Sequence, residues 1–440
     1  MTISHRNPPR RLIMHRRYGM LVPDLPITHS KGRKTMQFNL ADFLLGVSRA
    51  LDFIEEDLFG VPTNHSKRVA YLAWKIGNQL ALSREAIFDL VSLAMLHDNG
   101  ATMKLLQDQF RDSIAENRTR MEQIREHCSI GEKNILSFPF LTNPKDIILY
   151  HHENHDGSGF YGLKENQIPL MAQIIHLADL LDLHFDLNKN ASKPDWQEKI
   201  TAFVLAGRNQ SFSPAVVDAF FRAAAEPGLW EGLIDEVING VIRSEIGTFS
   251  FEYDYDKIRQ ITKTFSRIID AKSAFTERHS SSLALKVAKM SRHYHMEKST
   301  RQKLLIAADL HDLGKLGVAN AILDKRGPLT TEEFALIKMH PAIARECLME
   351  MEGFEEITEW IYNHHEKLNG SGYPRGLTGE RLDFPSRLLT CLDIFQALQE
   401  SRPYRPKMSV ADALVILRDM VRKQQIDPDI VEEISKVFSK

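Results

Sequence analysis

The sequence predicts an all-α protein of two tandem copies of one helical domain, with a small two-stranded ribbon as a further expectation. Three observations lead there. Segments bearing histidine and aspartate recur at one spacing through the 440 residues. Apolar residues between them fall on helical stripes. The composition, 43% hydrophobic and 26% charged, suits a chain that buries a core, which excludes disorder throughout.

The repeat is visible segment by segment. NHSKRVAYLA around His65 returns as RHSSSLALKVA around His279, and LAMLHDNGA at His97 returns as AADLHDLGK at His311. YHHENHDGSGFYGL from Tyr150 is matched by NHHEKLNGSGYPRGL from Asn363. His279 follows His65 by 214 residues, and His311 follows His97 by 214. His340 follows His127 by 213, His364 follows His151 by 213, and Asp393 follows Asp179 by 214. This period far exceeds the roughly 20–50 residues of a solenoid unit, so each copy should carry its own core.

In chain order, residues 1–35 come first. They hold Arg6, Arg10, Arg11, Arg16, Arg17, Lys31, Arg33 and Lys34 against Asp24 alone, with Pro8, Pro9, Pro23 and Pro26 breaking any helix. We read them as a basic, poorly ordered arm, not a lipid- or nucleic-acid-binding one. Only Leu12, Ile13 and Met14 are apolar between Arg11 and Arg16, too few for a signal peptide. The first copy spans 36–247. It opens on an extended piece, Thr35–Ala41, followed by a stripe of Phe43, Val47, Leu51 and Ile54. Its last stripe is Ile234, Val237, Ile238, Val241 and Ile242. The second copy spans 248–440, with the boundary near Gly247. Phe249, Phe251, Tyr253 and Tyr255 alternate there with polar residues, a period of two that suggests an extended piece able to pair with 35–41 as a ribbon, an ordinary linker with aromatic anchors being the competing reading. Ile258, Ile261, Phe265, Ile268 and Ile269 then form a helical stripe. These stripes read as core faces.

A net charge of -2 argues against a protein built to grip long nucleic acid. No apolar run reaches the ~18 residues of a membrane span. Cys128, Cys347 and Cys391 are far apart in sequence and form no metal or redox pattern, and a disulfide framework is not expected.

The chemistry lies in the aligned histidines and aspartates. In the second copy these are His279, His311, Asp312, His340, His364, His365 and Asp393. Imidazole and carboxylate are ligands for iron, manganese, zinc or nickel, and the absence of cysteine disfavours structural zinc. Seven ligands exceed one ion's needs and suit two ions sharing a carboxylate, roughly 3.5–4 Å apart. A helical core otherwise has little use for so many imidazoles. His293 and His295, outside the pattern, read as surface residues.

The second copy resembles the HD-GYP subgroup of HD-domain phosphohydrolases. The likeness rests on His279-Ser280, His311-Asp312-Leu313-Gly314-Lys315, His340-Pro341, His364-His365-Glu366, Gly370-Ser371-Gly372-Tyr373-Pro374, Asp393 and Arg402-Pro403-Tyr404-Arg405. It covers roughly residues 260 to 410 and, more weakly, the first copy. It implies an all-helical fold and a bacterial cytoplasmic phosphodiesterase acting on cyclic di-GMP or 3',3'-cyclic GMP-AMP. It also implies two divalent cations, iron or manganese. His279, His311, Asp312 and Asp393 would hold one, and Asp312, His340, His364 and His365 the other. Members with a third ion carry a Glu where this chain has Phe275, so two ions are expected. Cations lower the pKa of water and so supply a nucleophile at neutral pH. In-line attack would then leave a linear dinucleotide with a 5' phosphate. Lys315 would meet the charge building on the phosphate. Arg402 and Arg405 either clamp the second phosphate or belong to a surface loop with unpaired arginines, and Tyr373 would touch ligand.

The first copy keeps the ligand types at His65, His97, Asp98, His127, His151, His152 and Asp179. It has Ala101 for Lys315, Asn99 for Leu313 and Phe160-Tyr161 for Tyr373-Pro374, and nothing like the Arg402–Arg405 segment follows Asp179. The expectation is a degenerate copy that hydrolyses poorly and has a structural or regulatory role, in contact with the catalytic one; whether its ligand set binds metal or ligand is left open. Two other readings compete: a cyclic dinucleotide receptor with little turnover, and an HD enzyme for mononucleotides or alarmones. The preferred dinucleotide, the metal and a homo-oligomeric state are left open.

Overall fold

The computed structural model describes residues 35–59, 64–102, 117–246, 250–273, 279–325, 327–401 and 406–439. The expected basic arm lies outside them. Among the described residues eight longer helices form the first lobe: α1 (Leu40–Phe59), α2 (His65–Gln79), α3 (Arg84–Met95), α4 (Asn117–Ile135), α5 (Leu170–Phe185), α6 (Pro194–Ala206), α7 (Pro214–Ala224) and α8 (Asp235–Ile246). The second lobe follows with α9 (Tyr255–Ala271), α10 (His279–His293), α11 (Lys298–Leu310), α12 (Thr331–Ile337), α13 (His340–Leu348), α14 (Glu355–Asn363), α15 (Phe384–Leu398), α16 (Val410–Arg422) and α17 (Pro428–Phe438). Among the described residues the only sheet is a ribbon in which β1 (Thr35–Asn39) pairs antiparallel with β2 (Ser250–Asp254), Phe38 opposite Phe251.

Local chemistry sets many helix starts. The Ser83, Asp254, Asp383 and Ser409 side chains each accept a backbone N–H from the first turn that follows. Thr330 and Glu333 close a reciprocal capping box on α12. Pro194, Pro214 and Pro428 stand at N-terminal positions where their missing N–H costs nothing. The stripe of α9 is wholly buried, as expected. That of α8 is buried only at Ile238 and Ile242, and Val237 is exposed, because this helix lies at the margin of its lobe. The period-2 segment ends sooner than its aromatics suggested: Asp254 caps a helix and Tyr255 opens it.

The two lobes are joined by exchanged helices. Helix α1 of the first copy packs on α13 and on the turn Leu313–Gly317 of the second. Helix α9 of the second copy packs in the corresponding way on α4 and on the turn Asn99–Thr102 of the first. Aromatic rings seal the seam: Phe43 meets Phe265 edge-on at 5.0 Å between centroids, and Phe38 touches Tyr253 and Phe354. One core cluster therefore runs through both copies.

At the seam α1 approaches α13 so closely that a Cβ on Gly46 would stand 1.9 Å from the Cys347 carbonyl oxygen. In an ordinary helix Gly→Ala stabilises by about 1 kcal/mol. Here Gly46→Ala is predicted to destabilise by about 1–3 kcal/mol through overpacking. Equilibrium denaturation checks this, and an unchanged or raised midpoint contradicts the helix approach described.

Candidate metal centre

The seven aligned residues of the second lobe converge. His279 opens α10, and its Nε2 lies 3.1 Å from His311 Nε2 and 3.1 Å from Asp393 Oδ1 on α15. His311 caps the end of α11, and Asp312 starts the turn after it. Asp312 Oδ2 is 3.3 Å from His311 Nε2, whereas its Oδ1 faces the other way, 3.6 Å from His340 Nε2. His340 Nε2 is 3.2 Å from His364 Nε2, and the His365 ring lies 5.0 Å from that of His340. Asp393 Oδ2 is 3.9 Å from His365 Nδ1. Asp312 thus divides its two oxygens between two groups, His279 with His311 and His340 with His364 and His365.

Backbone geometry holds this arrangement. The Nδ1 atoms of His311, His340 and His364 each bond the carbonyl three residues earlier, those of Ala308, Ile337 and Ile361. Each Nδ1 therefore carries the proton, and each Nε2 lone pair points into the cluster. The turn of Asp312 reaches the helix of His340 because Gly314 has no side chain; a Cβ there would lie 1.9 Å from the His340 carbonyl oxygen.

The electrostatics fit cations. Burial pushes His340 down to about 3 and His364 to about 4, with neighbouring imidazoles adding to the shift, and lowers His365 strongly. These three stay neutral with lone pairs available. Burial alone would raise the Asp312 and Asp393 carboxyls, but the histidines around both, and Lys315 beside Asp312, hold them well below the usual range. Asp312 Oδ1 is buried with no hydrogen-bond partner among the described residues. Buried anionic oxygens facing neutral imidazoles match what a divalent transition metal binds.

The first lobe repeats the geometry. His65 Nε2 is 3.2 Å from Asp179 Oδ1, and His97 Nε2 is 3.7 Å from it. Asp98 Oδ1 is 3.1 Å from His127 Nε2 and 3.7 Å from His151 Nε2, and His152 Nδ1 is 3.8 Å from Asp179 Oδ2. A Cβ on Gly100 would stand 2.1 Å from the His127 carbonyl oxygen, the counterpart of Gly314. One expectation needs correcting. Cys128, taken to belong to no metal pattern, joins His127, His151 and His152 in a compact group. Burial raises its thiol, but the His127 and His151 imidazoles outweigh this and bring it to about 6.

Of the residues expected to meet substrate, Lys315 donates to Asp312 Oδ2 at 2.7 Å and lines a cavity of about 810 Å³ with Leu323, Lys325, Phe334 and Ile337. Tyr373 stacks on His365 at 4.8 Å and touches Phe334 edge-on. Arg402, Arg405 and Phe275 lie outside the described residues. His293 pairs with Glu433 at the surface, away from the cluster.

Four supporting carboxylates were given no role by the sequence. Glu366 accepts backbone N–H from Arg375 and Leu377 and so clips shut the loop carrying Tyr373; Glu153 does the same for Tyr161 and Leu163. The adjacency of Glu366 to His365, repeated as Glu153 after His152, was the available signal. Glu400 accepts from His279 Nδ1 at 3.0 Å, while in the first lobe Asp182 bonds His65 Nδ1 at 2.7 Å. These two occupy different repeat positions, so alignment could not find them. Carboxylates of this kind orient a ligating imidazole and raise its basicity. Glu400→Ala is predicted to weaken metal affinity of the second lobe about 10–100-fold; competition titration against a chromophoric chelator checks this, and unchanged affinity removes Glu400 from the site.

The comparisons with known proteins agree with this geometry. The chain is 29% identical over 402 residues to 3'3'-cGAMP-specific phosphodiesterase 1 of Vibrio cholerae, covering 90% of this chain and 91% of that protein. It is 27% identical to 3'3'-cGAMP-specific phosphodiesterase 3 of the same organism, covering 91% and 95%. A cyclic di-GMP phosphodiesterase response regulator of Xanthomonas campestris is 37% identical over 131 residues, 29% of this chain and 34% of that one. The crystal structure of a cyclic GMP-AMP specific phosphodiesterase from V. cholerae shares the fold, with a TM-score of 0.63 at 24% identity over 93% of this chain and 98% of that one. The HD domain family matches residues 55–195 and 263–430, once in each copy, and the chain belongs to that family.

Proposed function

We propose that this protein is a metal-dependent phosphodiesterase that opens a cyclic dinucleotide to a linear dinucleotide with a 5' phosphate, using the second lobe, residues 248–440. The carrying observation is the two-sided Asp312 between two imidazole groups. His279, His311, Asp312 and Asp393 would hold one cation and Asp312, His340, His364 and His365 the other, iron or manganese being suited to this nitrogen and oxygen set. Such a pair supplies activated water and Lewis-acid neutralisation of phosphoryl oxygens.

The chain's own groups do the rest. Lys315, held on Asp312, stands between the centre and the cavity, where its ammonium can meet charge on the phosphate. Tyr373 and Phe334 offer aromatic faces for a base beside it. Two relatives that span nearly the whole chain are named for 3'3'-cGAMP, whereas those named for cyclic di-GMP, and a third named for 3'3'-cGAMP, align over less than half of it. This supports 3',3'-cyclic GMP-AMP as the preferred substrate. No helix among the described residues is long and apolar enough to cross a membrane.

The first lobe, residues 36–247, takes a structural or regulatory part. Ala101, buried, stands where Lys315 would, and Asn99 spends its amide on the Leu96 carbonyl. Asp312→Ala is expected to lower turnover by about 10³-fold or more, since it removes several kcal/mol of charge stabilisation. Asp98→Ala is expected to keep turnover within about threefold if that lobe does no chemistry. Chromatography of the products from both cyclic dinucleotides gives the readout. Equal losses in the two variants would overturn the division of labour, and intact substrates with metal-loaded protein would overturn the activity.

A further inference from the structure

Within the shared geometry the two lobes differ at one ligand position. Cys128 follows His127 directly, whereas Pro341 follows His340. Cys128 is fully buried, and its Sγ lies 3.6 Å from His127 Nε2, which is itself 3.4 Å from His151 Nε2. With His152, four ligand atoms lie within 4.8 Å of one another: one sulfur and three nitrogens. His97 Nε2 and Asp179 Oδ2, both on residues at most 1% exposed, have no hydrogen-bond partner among the described residues. His127 Nδ1 has none either, although its counterpart His340 Nδ1 is bonded to a carbonyl. The His127 ring is thus oriented by what its Nε2 side holds. A buried thiol against hydrocarbon acts as a small hydrophobe. This one faces the imidazole of His127, whose Nε2 is also 3.1 Å from Asp98 Oδ1. The second lobe has no such sulfur: Cys347 lies at the α1 seam, and Cys391 lies in α15 near Asp427.

We propose that the first lobe holds a zinc ion ligated by His127, Cys128, His151 and His152, a site chemically distinct from the nitrogen- and oxygen-only centre of the second lobe. Zinc takes four nitrogen or sulfur ligands in closed structural sites, and thiolate selects it over manganese and other oxygen-seeking cations. The ion fastens α4 to the turn at residues 151–152, so the lobe without Lys315 keeps a metal as a staple. None of this depends on whether the second lobe hydrolyses anything.

The test uses the full chain, loaded with zinc and dialysed against a chelator that empties weaker sites. X-ray absorption at the zinc edge should show one sulfur at about 2.3 Å among nitrogen scatterers. Cobalt in place of zinc should give a thiolate-to-cobalt charge-transfer band. Cys128→Ser and Cys128→Ala should lose the sulfur signal, the band and the chelator-resistant zinc. A sulfur-free edge in the unaltered protein overturns the proposal without reference to any variant. Equal zinc retention in folded Cys128→Ala, verified by circular dichroism, also overturns it.

Discussion

Everything in each lobe is arranged around a carboxylate that faces two ways. Asp312 and Asp98 sit where a helix ends and a tight turn begins, walled in by imidazoles. Placing a charged carboxylate in a helical core is costly unless opposite charge is brought in with it. Burial keeps His340, His364 and His365 neutral in the second lobe, so these three do not supply that charge. The requirement dictates the rest: glycine at 314 and 100 so that the turn can press on the next helix, and i−3 carbonyls that fix the tautomers.

The convergence of the aligned residues was legible because spacing repeated twice is improbable by chance, and because the pairs His311-Asp312 and His364-His365 lie at helix ends. The ribbon was legible from alternation, but its end was not. Asp254 satisfies the first turn of a helix, a local bond that outweighs the strand preference of Tyr255. Cys128 escaped notice for a geometric reason. Adjacent residues on a helix do not share a face, so nothing in the chain order suggested that its sulfur and the His127 ring bend toward one point. Glu400 and Asp182 escaped because each reaches its imidazole across more than a hundred residues from unrelated repeat positions.

The copies have diverged in the groups around a common frame. One presents Lys315 and an adjoining cavity; the other presents a small buried alanine and a thiol. The frame itself, the helices and turns that gather the ligands, is kept in both, as expected where packing constrains backbone more tightly than chemistry constrains any one side chain.

The exchange of first helices has an evolutionary consequence. Phe43 and Gly46 of one copy complete the hydrophobic wall of the other, and Phe265 reciprocates. Cutting the chain at its midpoint would strip each half of a wall it does not encode. Once this trade was in place, neither descendant of the ancestral duplication could be discarded, however little chemistry it still performed.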